Sequence, residues 1–443
     1  MNLMNTIKLS LLLTIIVIAM GAYTRLADAG LGCPDWPGCY GHLTVPTHKV
    51  DVQVANTLYP ERAVEQSKAW LEMIHRYLAG ALGLLVFMIT AIALSKERAK
   101  LGVVLPLALS IIIVFQAALG MWTVTLKLMP IVVMGHLLGG FTMFSLLFVS
   151  YLRLRPRVSL RRGNIQPQDA AALLPGRKVF QPKVVKTPGK HGIDDRDVHD
   201  NRNDRSRDES ASNGAHKPDR YSPHVSRTDR YSIDENARYS PLSATTSVVP
   251  KTLKTLAVFA LVVTIIQIML GGWTSSNYAA VVCTSLPICE GQWFDSLDFV
   301  TAFTPLHLGV DSYEFGILDY AARMTIHVTH RLGAIVVAFT VGLLVFKLMQ
   351  QQPVVFKRLG RSLGMVLAAQ LALGISNVVF HLPLGIAVLH NLGAAILLLT
   401  LIKTNYVIRT AVMTQIEKPV FTVVESKYAM TQAKASGDKE STL

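Results

Sequence analysis

Eight apolar runs, each about the length a helix needs to cross a bilayer, constrain this chain more than anything else in it. Four come first, at approximately Ile7–Thr24, Leu71–Leu94, Val103–Val124 and Ile131–Leu152. Four more follow a long polar interval, at approximately Leu256–Thr274, Met324–Met349, Leu363–Phe380 and Leu384–Ile408. Only 16% of the residues are charged, against roughly 25% in an ordinary soluble domain, so a cytosolic enzyme is excluded. The expected fold is an all-α integral membrane protein of eight transmembrane helices.

The formal charge of +14 invites a nucleic-acid reading, but its location removes it. The segment Arg153–Lys254 holds 21 Lys+Arg against 12 Asp+Glu, which is nine of the fourteen net charges. There the basic residues are interleaved with acids, and Asp, Arg, Ser, Asn and Pro replace the aliphatics. An Arg-Tyr-Ser tripeptide recurs at Arg220, Arg230 and Arg238. Such a stretch cannot bury enough apolar surface to offset its ordering entropy, so a disordered linker is expected over 155–252. The domain reading is therefore 1–154 for an N-terminal four-helix half, 253–410 for a C-terminal one, and 411–443 for a polar tail.

Short loops rich in Lys and Arg mark the cytoplasmic side. Lys96, Arg98 and Lys100 follow the second run, and Lys357, Arg358 and Arg361 follow the sixth. Arg153, Arg155, Arg157, Lys251, Lys254, Lys8 and Arg409 fall on the same side. Both termini are then cytoplasmic, and two long loops, about 25–70 and 275–323, face outward. Lys8, the apolar core and Ala27-Asp28-Ala29 also fit a cleavable signal peptide. Against that, the fifth run matches the first and is internal to the chain.

That match belongs to a duplication. Gly21, Thr24, Cys33 and Cys39 recur as Gly271, Thr274, Cys283 and Cys289 at an offset of 250. His75-Arg76 recurs as His330-Arg331 at 255, and Gln116, Leu119-Gly120 and His136 recur as Gln370, Leu373-Gly374 and His390 at 254. Offsets this steady mean two tandem four-helix bundles in parallel orientation, related by a pseudo-twofold axis along the membrane normal.

All four cysteines lie in the two outer loops, paired as Cys33/Cys39 and Cys283/Cys289. Outside the cytoplasm such pairs form disulfides; a redox-active pair passing electrons to the membrane is the alternative. Neither pair has a second CxxC or a nearby histidine to complete a metal site.

Five of the thirteen histidines, His75, His136, His327, His330 and His390, fall in apolar helices, where an ionisable side chain is costly and points to function. His75, His136, His330 and His390 all follow an outer helix end and are expected ~6–9 Å below it at 1.5 Å per residue. Two histidines at one depth on different helices of a bundle suit two axial ligands of one haem iron; zinc would want a third protein ligand. Arg76 and Arg331, next to ligand histidines, are candidates for haem propionates or for snorkelling to the interface. The copies differ at one place: Glu72 shares a helix face with His75, and its partner in the second copy is His327. Glu72 is thus a candidate catalytic acid, or simply a favourable charge at a helix start.

Gly30-Leu31-Gly32-Cys33-Pro34-Asp35-Trp36-Pro37-Gly38-Cys39-Tyr40-Gly41, Glu72-x-x-His75-Arg76, Gly135-His136, His330-Arg331 and His390-Asn391 together resemble the haem A synthase family of cytochrome oxidase assembly. The likeness covers all eight runs and both outer loops. The long linker departs from the family's compact pattern. The resemblance implies an oxidoreductase of the bacterial inner membrane that converts the C8 methyl of haem O to a formyl group through hydroxylated intermediates. It implies substrate haem O on His75 and His136, haem b on His330 and His390, and Glu72 as the essential acid. Haem O synthase and other assembly factors are the partners it suggests, with membrane lipid around the helices and quinone as one candidate electron acceptor. A di-haem b electron carrier and a haem carrier without catalysis are the competing readings; an acid in one copy only favours the enzyme.

Overall fold

Long apolar segments in lipid satisfy their backbone groups internally by forming helices, and the chain does so eight times. The structure, a computed structural model, describes residues 2–96, 98–155, 160–161, 244–247, 249–291, 293–307, 309–351, 354–410 and 413–416. Among them, eight helices are long and apolar enough to cross a membrane: α1 (Leu3–Leu26), α2 (Gln66–Lys96), α3 (Val104–Thr125), α4 (Pro130–Leu154), α5 (Lys251–Ser276), α6 (Tyr320–Gln350), α7 (Val354–Val379) and α8 (Leu384–Thr410). The chain is a multi-pass membrane protein.

Most of these helices extend past their apolar runs, and three do so at ends that matter for position. α2 starts at Gln66 rather than Leu71. α6 starts at Tyr320, where the Asp319 carboxylate accepts the Ala322 N–H at 2.9 Å and fixes the first turn. α7 starts at Val354, so Lys357, Arg358 and Arg361 lie in its first turns and not in a loop. Depth counted from helix starts therefore changes. His75 lies nine residues into α2 and His136 six into α4, roughly 14 Å and 9 Å along their axes.

In the N-terminal half α1 packs on α2, α2 on α3, α3 on α4 and α4 on α1; α5 to α8 repeat this ring in the C-terminal half. The halves meet through α1 with α8, α4 with α5, and α4 with α8, a set of contacts that a twofold exchange of halves maps onto itself. The buried side chains on that seam are Phe141, Phe144, Ile268, Ala395 and Leu398. Arg25 donates to the Ser275 carbonyl at 2.9 Å and lies 4.0 Å over the Tyr278 ring. Arg62 and Glu314 form a two-pronged ion pair at 2.7 and 3.3 Å between the loop that follows α1 and the loop that follows α5.

The C-terminal ends of α1, α3, α5 and α7 are alike to a degree the duplication alone does not require. Each ends on a left-handed residue that is not glycine: Asp28, Lys127, Tyr278 and His381, with φ of +49°, +45°, +53° and +57°. In each, the next N–H reaches back to the carbonyl five residues earlier: Ala29 to Thr24, Leu128 to Thr123, Ala279 to Thr274 and Leu382 to Asn377, at 2.7–2.9 Å. This is a Schellman ending, and a side chain there costs ~1–2 kcal/mol. The repeating unit is thus visible in the helical hairpin as well as in the four-helix half.

Three short strands, Leu160–Arg161, Ala244–Ser247 and Met413–Ile416, pair into a small sheet with the third in the middle. Leu160 aligns parallel with Met413, and Ala244 antiparallel with Ile416. Apart from these strands and the 3₁₀ turn Trp293–Ser296, the described residues follow the all-α expectation. Two of the strands fall inside the 155–252 segment expected to be a linker; most of that segment, and most of the 411–443 tail, lie outside the described residues.

Candidate functional site

Both cysteine pairs are disulfides, Cys33–Cys39 and Cys283–Cys289. Each closes a tight loop over the N-terminal part of a helix that carries a histidine, α2 or α6. In the N-terminal half, Arg76 donates to the carbonyls of Asp35 (3.0 Å), Pro37 (3.3 Å) and Gly38 (2.5 Å). It also bonds the Glu72 carboxylate one turn earlier, whose other oxygen accepts the Cys33 N–H at 3.0 Å. Glu72 is 5% exposed. A buried carboxylate needs such donors, since an unpaired charge there would cost several kcal/mol.

The C-terminal half builds the same clamp with one change. Arg331 donates to the carbonyls of Ser285 and Cys283, each at 2.6 Å, and to that of Ile288. One turn earlier stands His327, 5% exposed, whose Nε2 accepts the Arg331 Nε–H at 3.2 Å. The acid of this half sits instead in the loop: Glu290 accepts the N–H groups of Thr284 and Ser285 at 2.6 Å and bonds the Thr284 hydroxyl. The Thr284 hydroxyl, followed by the two amides, pulls its pKa down to about 2. The arginines expected at haem propionates thus spend most of their donors on loop carbonyls, because a closed loop of this size leaves its carbonyls unpaired by secondary structure.

Deeper in, the paired histidines come together as the sequence predicts for the N-terminal half. The rings of His75 and His136 are 6.4 Å apart between centroids and nearly perpendicular, at 78°. Both Nδ1 atoms are buried without a hydrogen-bond partner, as is Nδ1 of His390. His330 differs: Gln267 Nε2 lies 3.0 Å from its Nδ1 and donates to its carbonyl at 2.8 Å. Gln370 likewise donates to the His390 carbonyl, at 3.0 Å, but its Nε2 lies 3.5 Å from the other ring nitrogen, Nε2 of His390.

Sequence reasoning assigned nothing to Gln116 and Gln370 and passed over Gln267 altogether. Gln267 falls at the place of Val17 in the duplication, so a comparison of halves does not find it. The signal that does is a Gln-x3-Gly on one helix followed by a His-x2-Gly on the next.

A duplicated eight-helix membrane protein with buried histidines brought together beneath disulfide-closed loops is the class that fold and site define. The chain matches the family of cytochrome oxidase assembly proteins, COX15-CtaA, over residues 5–176 and 231–402, well over half its length, and it belongs to that family. It is also 45% identical over 406 residues to a protein of Shewanella oneidensis named heme A synthase, a match covering 92% of this chain and 96% of that one.

Proposed function

We propose that this protein is a haem A synthase, which oxidises the C8 methyl group of haem O to a formyl group through hydroxylated intermediates. Two features support the reading. A relative of that name aligns along nearly the whole chain. Within the chain, a buried carboxylate accompanies one histidine pair and not the other.

The residues present suit a haem. Two imidazoles on opposite sides of one iron, each about 2 Å from it, have ring centres roughly 6 Å apart; His75 and His136 stand at 6.4 Å. Their buried, unpartnered ring nitrogens argue for a group that completes the site. In this reading His75 and His136 hold substrate haem O, and His330 and His390 hold haem b, which when bound supplies one-electron transfer. Glu72, held in place by Arg76 and the Cys33 amide, lies one turn from His75. It acts as a positioned base or as a fixed negative charge beside the carbon where positive charge develops. The disulfide loop, drawn down by Arg76, keeps water from that end of the site.

The sidedness follows from the basic residues at one set of helix ends: Lys96, Arg153, Lys347 and Arg409 all lie in last turns. In this reading the disulfide loops lie outside the cytoplasm and both termini inside, in a bacterial inner membrane. Haem O reaches the N-terminal half from a haem O synthase, and electrons leave to a quinone.

The deciding experiment is to purify the protein, extract its haems and identify them by mass. Haem b is expected together with haem O, its hydroxylated form or haem A. Haem b alone would make the protein an electron carrier instead.

A further inference from the structure

Four glycines meet the four paired histidines in the same way. Gly21 on α1, Gly120 on α3, Gly271 on α5 and Gly374 on α7 each face the ring on the following helix. A Cβ added there would stand 2.8, 3.4, 3.1 and 3.1 Å from Cε1 of His75, His136, His330 and His390. Like the Schellman ends, this contact repeats once per hairpin, so each half is two hairpins closed around two histidines.

Three of the hairpins share a second device. Gln116, Gln267 and Gln370 stand four residues before the first glycine, and Gly139, Gly333 and Gly393 stand three residues after the histidine. A Cβ on those later glycines would fall 1.7, 2.2 and 2.1 Å from the glutamine amide. Only glycine there admits the amide to the histidine's turn, where Gln267 and Gln370 donate to the histidine carbonyl; Gln116 stands in the same place with its Nε2 buried and unpartnered.

The α1–α2 hairpin lacks both parts. Val17 replaces the glutamine and Leu78 the glycine. It is also the hairpin that carries Glu72.

Building on the ligand reading above, we propose that Gln267 and Gln370 are positioning residues for His330 and His390. Neither His75 nor His136 is held in this way, and the N-terminal half is the one in which substrate haem is exchanged for product. Partners behind a metal-bound imidazole are typically worth 10–100-fold in affinity. The C-terminal half has two such clamps and suits a haem that stays; the N-terminal half has none and suits a haem that must leave.

The test installs the missing clamp. Val17→Gln is combined with Leu78→Gly, since the amide needs the glycine's space, and compared with Gln116→Leu and Gln370→Leu in the full chain. Haem loss from the purified, loaded protein to excess apo-globin is followed optically, and the reduction potential of each centre is recorded. The double variant should slow loss from the N-terminal half about tenfold, and Gln116→Leu should leave it unchanged. Gln370→Leu should speed loss from the C-terminal half only, about tenfold, and shift that centre's potential. Unchanged loss rates in Gln370→Leu overturn the proposal, and that variant alone decides it should the double variant not insert. His75→Leu separates the two layers. If it leaves the N-terminal haem spectrum intact, the ligand reading is wrong; if it abolishes that spectrum while the clamp variants change nothing, only the positioning role falls.

Discussion

At equivalent places on α2 and α6, Glu72 and His327 lie under the same kind of disulfide loop with different chemistry. In both halves an arginine one turn later gathers loop carbonyls. In the N-terminal half a carboxylate completes the clamp and also takes the Cys33 amide; in the C-terminal half a histidine suffices. A loop of this design therefore docks without an acid beneath it. That weakens the purely structural account of Glu72 and leaves its charge available for the chemistry of the histidine pair beside it.

The sharpest way to break this contrast is to make the halves alike. Glu72→His should leave the N-terminal loop docked, as its counterpart is, and Glu72→Gln should keep an acceptor for the Cys33 amide. Both should lower formyl formation by about 10²-fold or more while haem content stays near normal, as read by chromatography of extracted haems. Full activity in Glu72→His would end the catalytic reading.

The arginines give a smaller, unequal effect. Arg76→Ala strands the Glu72 carboxylate, whose side chain is almost fully buried, and should cost about 3–5 kcal/mol. Arg331→Ala leaves a neutral histidine and some carbonyls unpaired, about 1–3 kcal/mol. Thermal unfolding in detergent would measure both, and equal losses would mean the two clamps are not different in kind.

The smallest effect lies in the loops themselves. The folded pKa of Glu290, about 2, is below the ordinary carboxylate value. Its contribution to the C-terminal loop is therefore complete above that ordinary value and fades as pH falls through about 2. Amide exchange at Thr284 and Ser285 should stay slow down to mildly acidic pH, and Glu290→Gln should speed it at neutral pH. Exchange at the N-terminal loop should not respond.

Much of this was legible in the sequence because the signals are long or repeated. Eight apolar runs, a steady offset near 250 and two identical cysteine spacings survive any local detail. The duplication also brought out His75, His136, His330 and His390 as a matched set. What escaped was short-range and broken. The first turns of α2, α6 and α7 are polar, so an apolar count misses them although their helices continue. Arg76 and Arg331 sit next to histidines in sequence, which suggested one partner; three-dimensional packing gave them the loop carbonyls. A comparison of halves matched Gln116 with Gln370 but could not show Gln267, whose counterpart is Val17.

The sequence by itself thus determined the helices, their number and the kinship of the halves, because lipid admits few other structures for such segments. Only the tertiary structure decided which polar groups face one another. A buried arginine, glutamine or histidine can satisfy itself in several ways, and the choice depends on a glycine or a loop from another helix arriving within a few ångströms. Val17 and Leu78 read as ordinary apolar residues along the chain, and they take on meaning only beside His75.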